Sequence, residues 1–125
     1  MVIGIGIDII EIDRIKDSVD KYGEQFLNKV FTKNEIAYCL SKPDKYQHLG
    51  ARFAAKEAIY KALASNWTKG VSWQDIEIKN EPNGLPYAVL NGDIKSFLSG
   101  DKGLRISLTH SRDYVASVAI VYKEE

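Results

Sequence analysis

Residues 1–10, MVIGIGIDII, decide how the rest of the chain is read. The run is rich in β-branched residues and alternates, which is strand patterning. Ile3, Ile5, Ile7 and Ile9 fall on one face, while Val2, Gly4, Gly6, Asp8 and Ile10 fall on the other. A strand over about Val2–Ile7 is expected. Gly4 and Gly6 leave their face bare, so another part of the molecule can approach the backbone closely there. Asp8 stands at the end of that bare face.

Downstream, Ile12, Ile15, Val19 and Tyr22 recur at helical spacing and Gly23 supplies a stop. Thr32 and Glu35 form a capping box in TKNE. It opens a short helix that ends before Pro43. A longer helix is expected over about Gln47–Ser65. Phe53, Tyr60 and Leu63 mark its buried stripe, and alanines at 51, 54, 55, 58, 62 and 64 favour the helix and permit close packing. DIEIKN, EPNG and LPYAVLN read as strand, turn and strand, with Asn83-Gly84 as the turn signal. Pro86 suits the edge of its strand. GDIKSFLSG has the pattern of a short helical turn. LRISLTH and YVASVAIVY alternate and read as two strands joined through SRD. The pattern predicts an α+β fold, one domain over residues 1–125, with helices mostly in the first half and antiparallel strands in the second.

Composition narrows the class of function. Hydrophobic residues make up 45%, enough for a packed core. Seventeen basic residues balance 17 acidic ones, so bulk charge gives no argument for nucleic acid or an anionic membrane. Cys39 is the only cysteine and has no CxxC or Cys/His neighbour; buried apolar filler is the expected role. No run approaches the roughly 18 apolar residues of a spanning helix. No signal-peptide pattern opens the sequence, and a cytoplasmic location is the expectation.

Chemistry concentrates in RFAAKEAIYKAL, residues 52–63. Glu57 and Lys61 are four apart in the favourable order, which on an exposed helix is a pair worth about 0.3–0.5 kcal/mol. Crowded apolar neighbours and the distant Asp8 suggest more. Two carboxylates brought together repel unless a cation lies between them. Mg²⁺ takes one or two carboxylates and leaves room for water and phosphate. Lys61, a turn beyond Glu57, could then meet a phosphate. Spacing alone cannot show that Asp8 and Glu57 meet. His110, between Thr109 and Ser111 at a strand end, is a binding candidate. There is no GxSxG elbow, no P-loop and no GxGxxG. The acid-free QFLNKVFTK, residues 25–33, interleaves Phe26 and Phe31 with Lys29 and Lys33, as in a docking surface for an acidic partner.

GIGIDIIEIDRI, FTKNE, GARFAAKEAIYKAL and SLTHSRDYVASVAIV together resemble the holo-[acyl-carrier-protein] synthases, the small bacterial type of 4′-phosphopantetheinyl transferase. The likeness runs over nearly the whole chain. It implies the transferase fold of that family and transfer of the 4′-phosphopantetheine arm of coenzyme A to a serine of apo-acyl carrier protein. Asp8 and Glu57 match the family's Mg²⁺ ligands, and Lys61 matches the lysine near the pyrophosphate. Arg52, Lys56, Thr109 and His110 match positions lining the coenzyme A site; Asn83, Gly84 and Pro86 match the turn beside the nucleotide. Arg14, Phe26 and Lys29 match the docking site for acyl carrier protein. The family implies a homotrimer with active sites between subunits. One departure is Leu85, where the family often carries Lys in NGKP. Two other readings remain open: a non-catalytic module that binds an acidic partner or nucleotide through the Phe26/Lys29 surface, and a metal-dependent phosphohydrolase that uses the same carboxylates.

Overall fold

In chain order the elements are β1 (Val2–Glu11), α1 (Ile12–Tyr22), α2 (Glu24–Val30), α3 (Lys33–Leu40), α4 (Lys45–Leu63), β2 (Ile76–Asn80), β3 (Pro86–Leu90), α5 (Gly92–Phe97), β4 (Lys102–His110) and β5 (Tyr114–Lys123). A 3-10 turn at Trp73–Asp75 precedes β2. These come from a computed structural model, which describes residues 1–124. The class is α+β. Two antiparallel sheets form, a three-stranded one in the order β1-β5-β4 and the hairpin β2-β3.

The strand β1 runs four residues past Ile7 because β5 pairs with it to the end, from Val2 opposite Tyr122 to Glu11 opposite Tyr114. A register shift between Val2 and Gly4 changes the expected division of its faces. Ile3 turns inward and packs on the core, while Ile5, Ile7 and Ile9 point outward. Their exposures are 64%, 66% and 66%, large values for adjacent isoleucines on one sheet face. Along β5 the same alternation puts Val115, Ser117, Ala119 and Val121 inside and Ala116, Val118 and Ile120 outside.

Helix α4 lies across the inner face of this sheet. A Cβ on Gly6 would stand 2.6 Å from Ala62 N and 2.9 Å from Ala58 C. On Gly4 it would stand 3.1 Å from Ala62 C. The bare glycine face of β1 is therefore where the α4 backbone sits, and alanine is what α4 presents in return. The helix starts at Lys45, two residues earlier than its pattern predicts, and is buried almost all round. Tyr60 and Leu63 are buried as expected, but Phe53 is only half-buried and stacks on Trp73. A helix covered on every side has no single apolar stripe to read.

Helices α1, α2 and α3 build a second core against α4, from Ile15, Leu27, Val30, Phe31, Cys39 and Leu49. Tyr22 does not join it and is 52% exposed. Phe31, expected on a docking surface, is fully buried: its ring packs edge-on against Phe26 and belongs to this core. Burial pushes the Cys39 thiol up to about 11, in keeping with an inert filler.

Candidate active site

The close approach of α4 to β1 brings three distant charges together. Lys61 Nζ stands 3.0 Å from Asp8 Oδ1 and also donates to the Ile7 carbonyl at 3.1 Å. Glu57, one turn earlier on the same side of α4, is half-buried. Burial first, and then the Asp8 charge, raise its pKa, while Lys61 acts the other way. Asp8 and Glu57 therefore feel each other as like charges with one cation beside them. Among the described residues no group of three or more His, Cys, Asp or Glu side chains could hold a metal ion. A hard cation at Asp8 and Glu57 would have two protein carboxylates, and the rest of its shell would come from water or phosphate.

A cleft of about 260 Å³ opens on the other side of α4. Arg52, Gly84, Pro86, Thr109 and His110 line it, joined by Tyr38, His48 and Asn80. Arg52 is 4% exposed, donates through Nη2 to Asn80 Oδ1 at 3.0 Å, and lays its guanidinium 4.5 Å from the Tyr38 ring centre. Its Nε is buried with no acceptor among the described residues. His48 pairs with Asp44 at 3.0 Å and meets Tyr38 edge-on. Asn80 in turn donates to the Gly84 carbonyl, which fixes the hairpin turn at the rim.

One sequence expectation needs correction here. Lys56 does not line this cleft. It points into the protein, is 0% exposed, and pairs with Glu35. Its neighbours α3 and β2 cover that side of α4. Asn83 stands in the turn beside the cleft, as expected, and its Oδ1 accepts the Leu85 N–H at 3.1 Å and so closes that turn. Tyr38, His48 and Asn80 escaped the sequence reading. They reach the cleft from α3, α4 and β2, and no spacing along the chain joins them.

Arg14 and Lys29 are exposed on α1 and α2, and Phe26 is half-buried between the α2 surface and Phe31. They stand on neighbouring elements, and none of them is among the residues that line the cleft.

The two halves of the site stand on opposite borders of the sheet. Asp8 is on β1 and Thr109 and His110 are on β4, with β5 between. That is about 10 Å across two strand spacings. On α4, Arg52 and Lys61 are nine residues apart, about half a turn round the helix.

Comparison with known proteins gives this geometry its context. Residues 4–119 match the model of the 4′-phosphopantetheinyl transferase superfamily. Among curated relatives, the holo-[acyl-carrier-protein] synthase of Protochlamydia amoebophila (strain UWE25) is 47% identical over 120 residues, covering 96% of this chain and 98% of the relative. That of Halothermothrix orenii is 43% identical over 127 residues, covering 100% and 99%. The solved structure of the Neisseria meningitidis synthase superposes with a TM-score of 0.88 at 28% identity, covering 98% of this chain and 100% of that one. The Bacillus anthracis synthase, solved in complex with CoA (3',5'-ADP), gives 0.80 at 30% identity, covering 100% and 99%. The chain belongs to the 4′-phosphopantetheinyl transferase superfamily and, within it, to the holo-[acyl-carrier-protein] synthases.

Proposed function

We propose that this enzyme moves the 4′-phosphopantetheine arm of coenzyme A onto a serine of an apo-acyl carrier protein and releases adenosine 3′,5′-bisphosphate. The observation that carries the reading is the Asp8, Glu57 and Lys61 cluster at the glycine face of β1. In the reaction the serine oxygen forms a bond to the phosphorus that bears pantetheine. The bond from that phosphorus to the bridging oxygen breaks, and the serine proton leaves to a base. Such transfer depends on positioning and on neutralising charge rather than on covalent help.

The donor set fits a magnesium ion. Asp8 and Glu57 would hold it, and when bound it supplies positive charge at the pyrophosphate. Lys61 is flexible and half-exposed, so its ammonium can leave Asp8 for a phosphate oxygen without unfolding anything. The cleft would take the nucleotide end. There the buried Arg52 offers an unused N–H, and His110, Thr109, Gly84 and Pro86 shape the walls. Leu85 adds no cation at the turn, which leaves Arg52 as the buried positive charge on that side.

A homotrimer is the assembly this reading favours. Two features support an arrangement of several copies. Ile5, Ile7 and Ile9 with Val118 and Ile120 form an apolar outer sheet face, the kind that is covered in a stable assembly. The carboxylates and the cleft also lie on opposite borders of one sheet, so a neighbour's cleft can complement one chain's carboxylates. The number three comes from the family resemblance. Arg14, Phe26 and Lys29 are the proposed landing place for the acidic carrier protein. No described helix is long and apolar enough to cross a membrane. A cytoplasmic role in fatty acid biosynthesis accords with the substrates named.

The test is incubation with coenzyme A, Mg²⁺ and an apo-acyl carrier protein, followed by intact-mass measurement of the carrier. A gain of one phosphopantetheine group supports the reading. Coenzyme A breakdown without mass gain points to a phosphohydrolase. Binding without consumption points to a non-catalytic module.

A further inference from the structure

Lys56 has no exposure at all and precedes Glu57 in the chain. Lysine is almost never fully buried unless paired. Its Nζ donates to three acceptors from three elements: Glu35 Oε1 at 2.6 Å, the Val30 carbonyl at 2.7 Å and the Trp73 carbonyl at 3.1 Å. Glu35 is equally buried, and both its oxygens are engaged. Oε1 also accepts the Thr32 N–H at 2.9 Å, and Oε2 accepts the Ile78 N–H at 2.8 Å. Thr32 closes the capping box by accepting the Glu35 N–H at 3.2 Å, and its hydroxyl donates to Glu77. Burial lowers the Lys56 pKa, and the Glu35 charge opposes that.

One ion pair thus ties the end of α2, the start of α3, the turn before β2, and β2 itself to α4. The same ammonium stands 5.6 Å from the Phe31 ring centre, and Phe31 packs on Phe26 at 5.9 Å. Lys29 immediately precedes the gripped Val30. Both proposed α2 docking residues hang from peptide that this pair holds.

We propose that Lys56 is a positioning residue: with Glu35 it pins the α2–α3 corner to the helix that bears Glu57, and so sets how an acidic carrier protein is presented, without touching the nucleotide. This rests on the transferase reading of the site. A pair that only held the fold together would lower stability and affect both substrates alike. A pair that sets the corner separates them.

The experiment compares the parent with Lys56→Met and with Lys56→Met/Glu35→Met. The double variant removes both charges together and keeps side-chain volume, so it buries no unpaired charge, at the cost of the backbone groups the pair held. It is expected to fold and to bind coenzyme A with a Kd within about twofold of the parent. Its KM for apo-carrier protein should rise about tenfold with kcat nearly unchanged. Hydrogen exchange at the Thr32 and Ile78 amides, which lose their acceptor, should speed up, and so should that of Ile36, a readout needing no turnover. A carrier KM and exchange pattern like the parent's would overturn the inference. So would a Kd for coenzyme A about tenfold weaker, which would return Lys56 to the nucleotide. If Lys56→Met fails to fold, the double variant decides. If the parent loads no carrier, the transferase reading has failed by itself, and the exchange rates alone show whether the pair pins the corner.

Discussion

Gly6→Ala should break the carboxylate cluster without touching a charged residue. The added methyl would stand 2.6 Å from Ala62 N and 2.9 Å from Ala58 C, and it would overlap the Ala58 carbonyl oxygen. Favourable heavy-atom contact needs about 3.5 Å, so β1 and α4 must part by at least about 1 Å. Both sides of the contact are backbone, and no rotamer change relieves it. Overpacking costs about 1–3 kcal/mol in general, and a backbone clash belongs at the upper end. For a chain of this size about 3 kcal/mol corresponds to a fall of roughly 10 °C in Tm. Asp8 lies two residues along the same face, and Glu57 adjoins Ala58. A misplacement of about 1 Å at a reacting centre costs on the order of 100-fold in rate. Thermal unfolding gives the first number. Carrier loading by mass, run well below the variant's Tm, gives the second. Gly50→Ala is the comparison: the nearest atoms to its methyl are Val115 and Ile15 side-chain carbons, the closest at 3.2 Å, so the effect should be about 1 kcal/mol or less. A Gly6→Ala protein with Tm within about 2 °C and unchanged loading would refute the packing argument.

Glu57→Gln should abolish transfer yet raise metal-free stability at pH 7. Burial and Asp8 raise the Glu57 pKa above 4.5, so its contribution is fully present below that value and lost as pH rises through the raised one. The variant's Tm advantage should therefore shrink as pH falls toward 4, and an advantage that grows instead would contradict the sign. Arg14→Glu and Lys29→Glu should slow association with an acidic carrier protein while leaving coenzyme A affinity unchanged, and added salt should mimic them. Stopped-flow association and calorimetry separate the two. Val118 faces outward and Ala119 is buried under α4, so Val118→Asp should disperse the assembly and lower activity together, whereas Ala119→Asp should unfold the chain. Light scattering beside the loading assay checks both, and a Val118→Asp monomer with full turnover would sink the shared site.

Local signals carried most of the fold. The glycine face of β1, the Thr32–Glu35 capping box and the Asn83-Gly84 turn each depend on residues close in sequence, and each stands where its pattern put it. The failures have long-range causes. The inward turn of Ile3 follows from a register shift against β5, which no alternation in β1 announces. The length of β1 was set by Tyr114 at the far end of the partner strand. Phe31 reads as surface because lysines flank it, but α2 and α3 turn it under α4. In the site, Asp8 and Glu57 were legible as residue types and as a family pattern, but their meeting depends on Ala58 and Gly6. Lys56 reads as a ligand because it sits in the same motif as Glu57. One residue is about 100° round a helix, enough to turn a side chain from a cleft into a core.

That angle also explains why α4 carries so much charge while being buried on nearly every side. Where a helix is buried, it can keep a charged residue only if a specific partner meets it. Lys56 faces α3 and β2 and meets Glu35; Arg52, about 40° from it, meets Asn80 and the Tyr38 ring. Glu57 and Lys61 come out on the opposite side, against Asp8. The first pair is satisfied by protein alone. Arg52 keeps one buried N–H unused, and Glu57 keeps a raised pKa beside a like charge. Among the charged residues of α4, the unmet demand thus falls on two sides of the helix, and it is of opposite sign on each. An anion relieves the Arg52 side and a cation the Glu57 side. A nucleotide pyrophosphate accompanied by a divalent metal is a ligand that brings both.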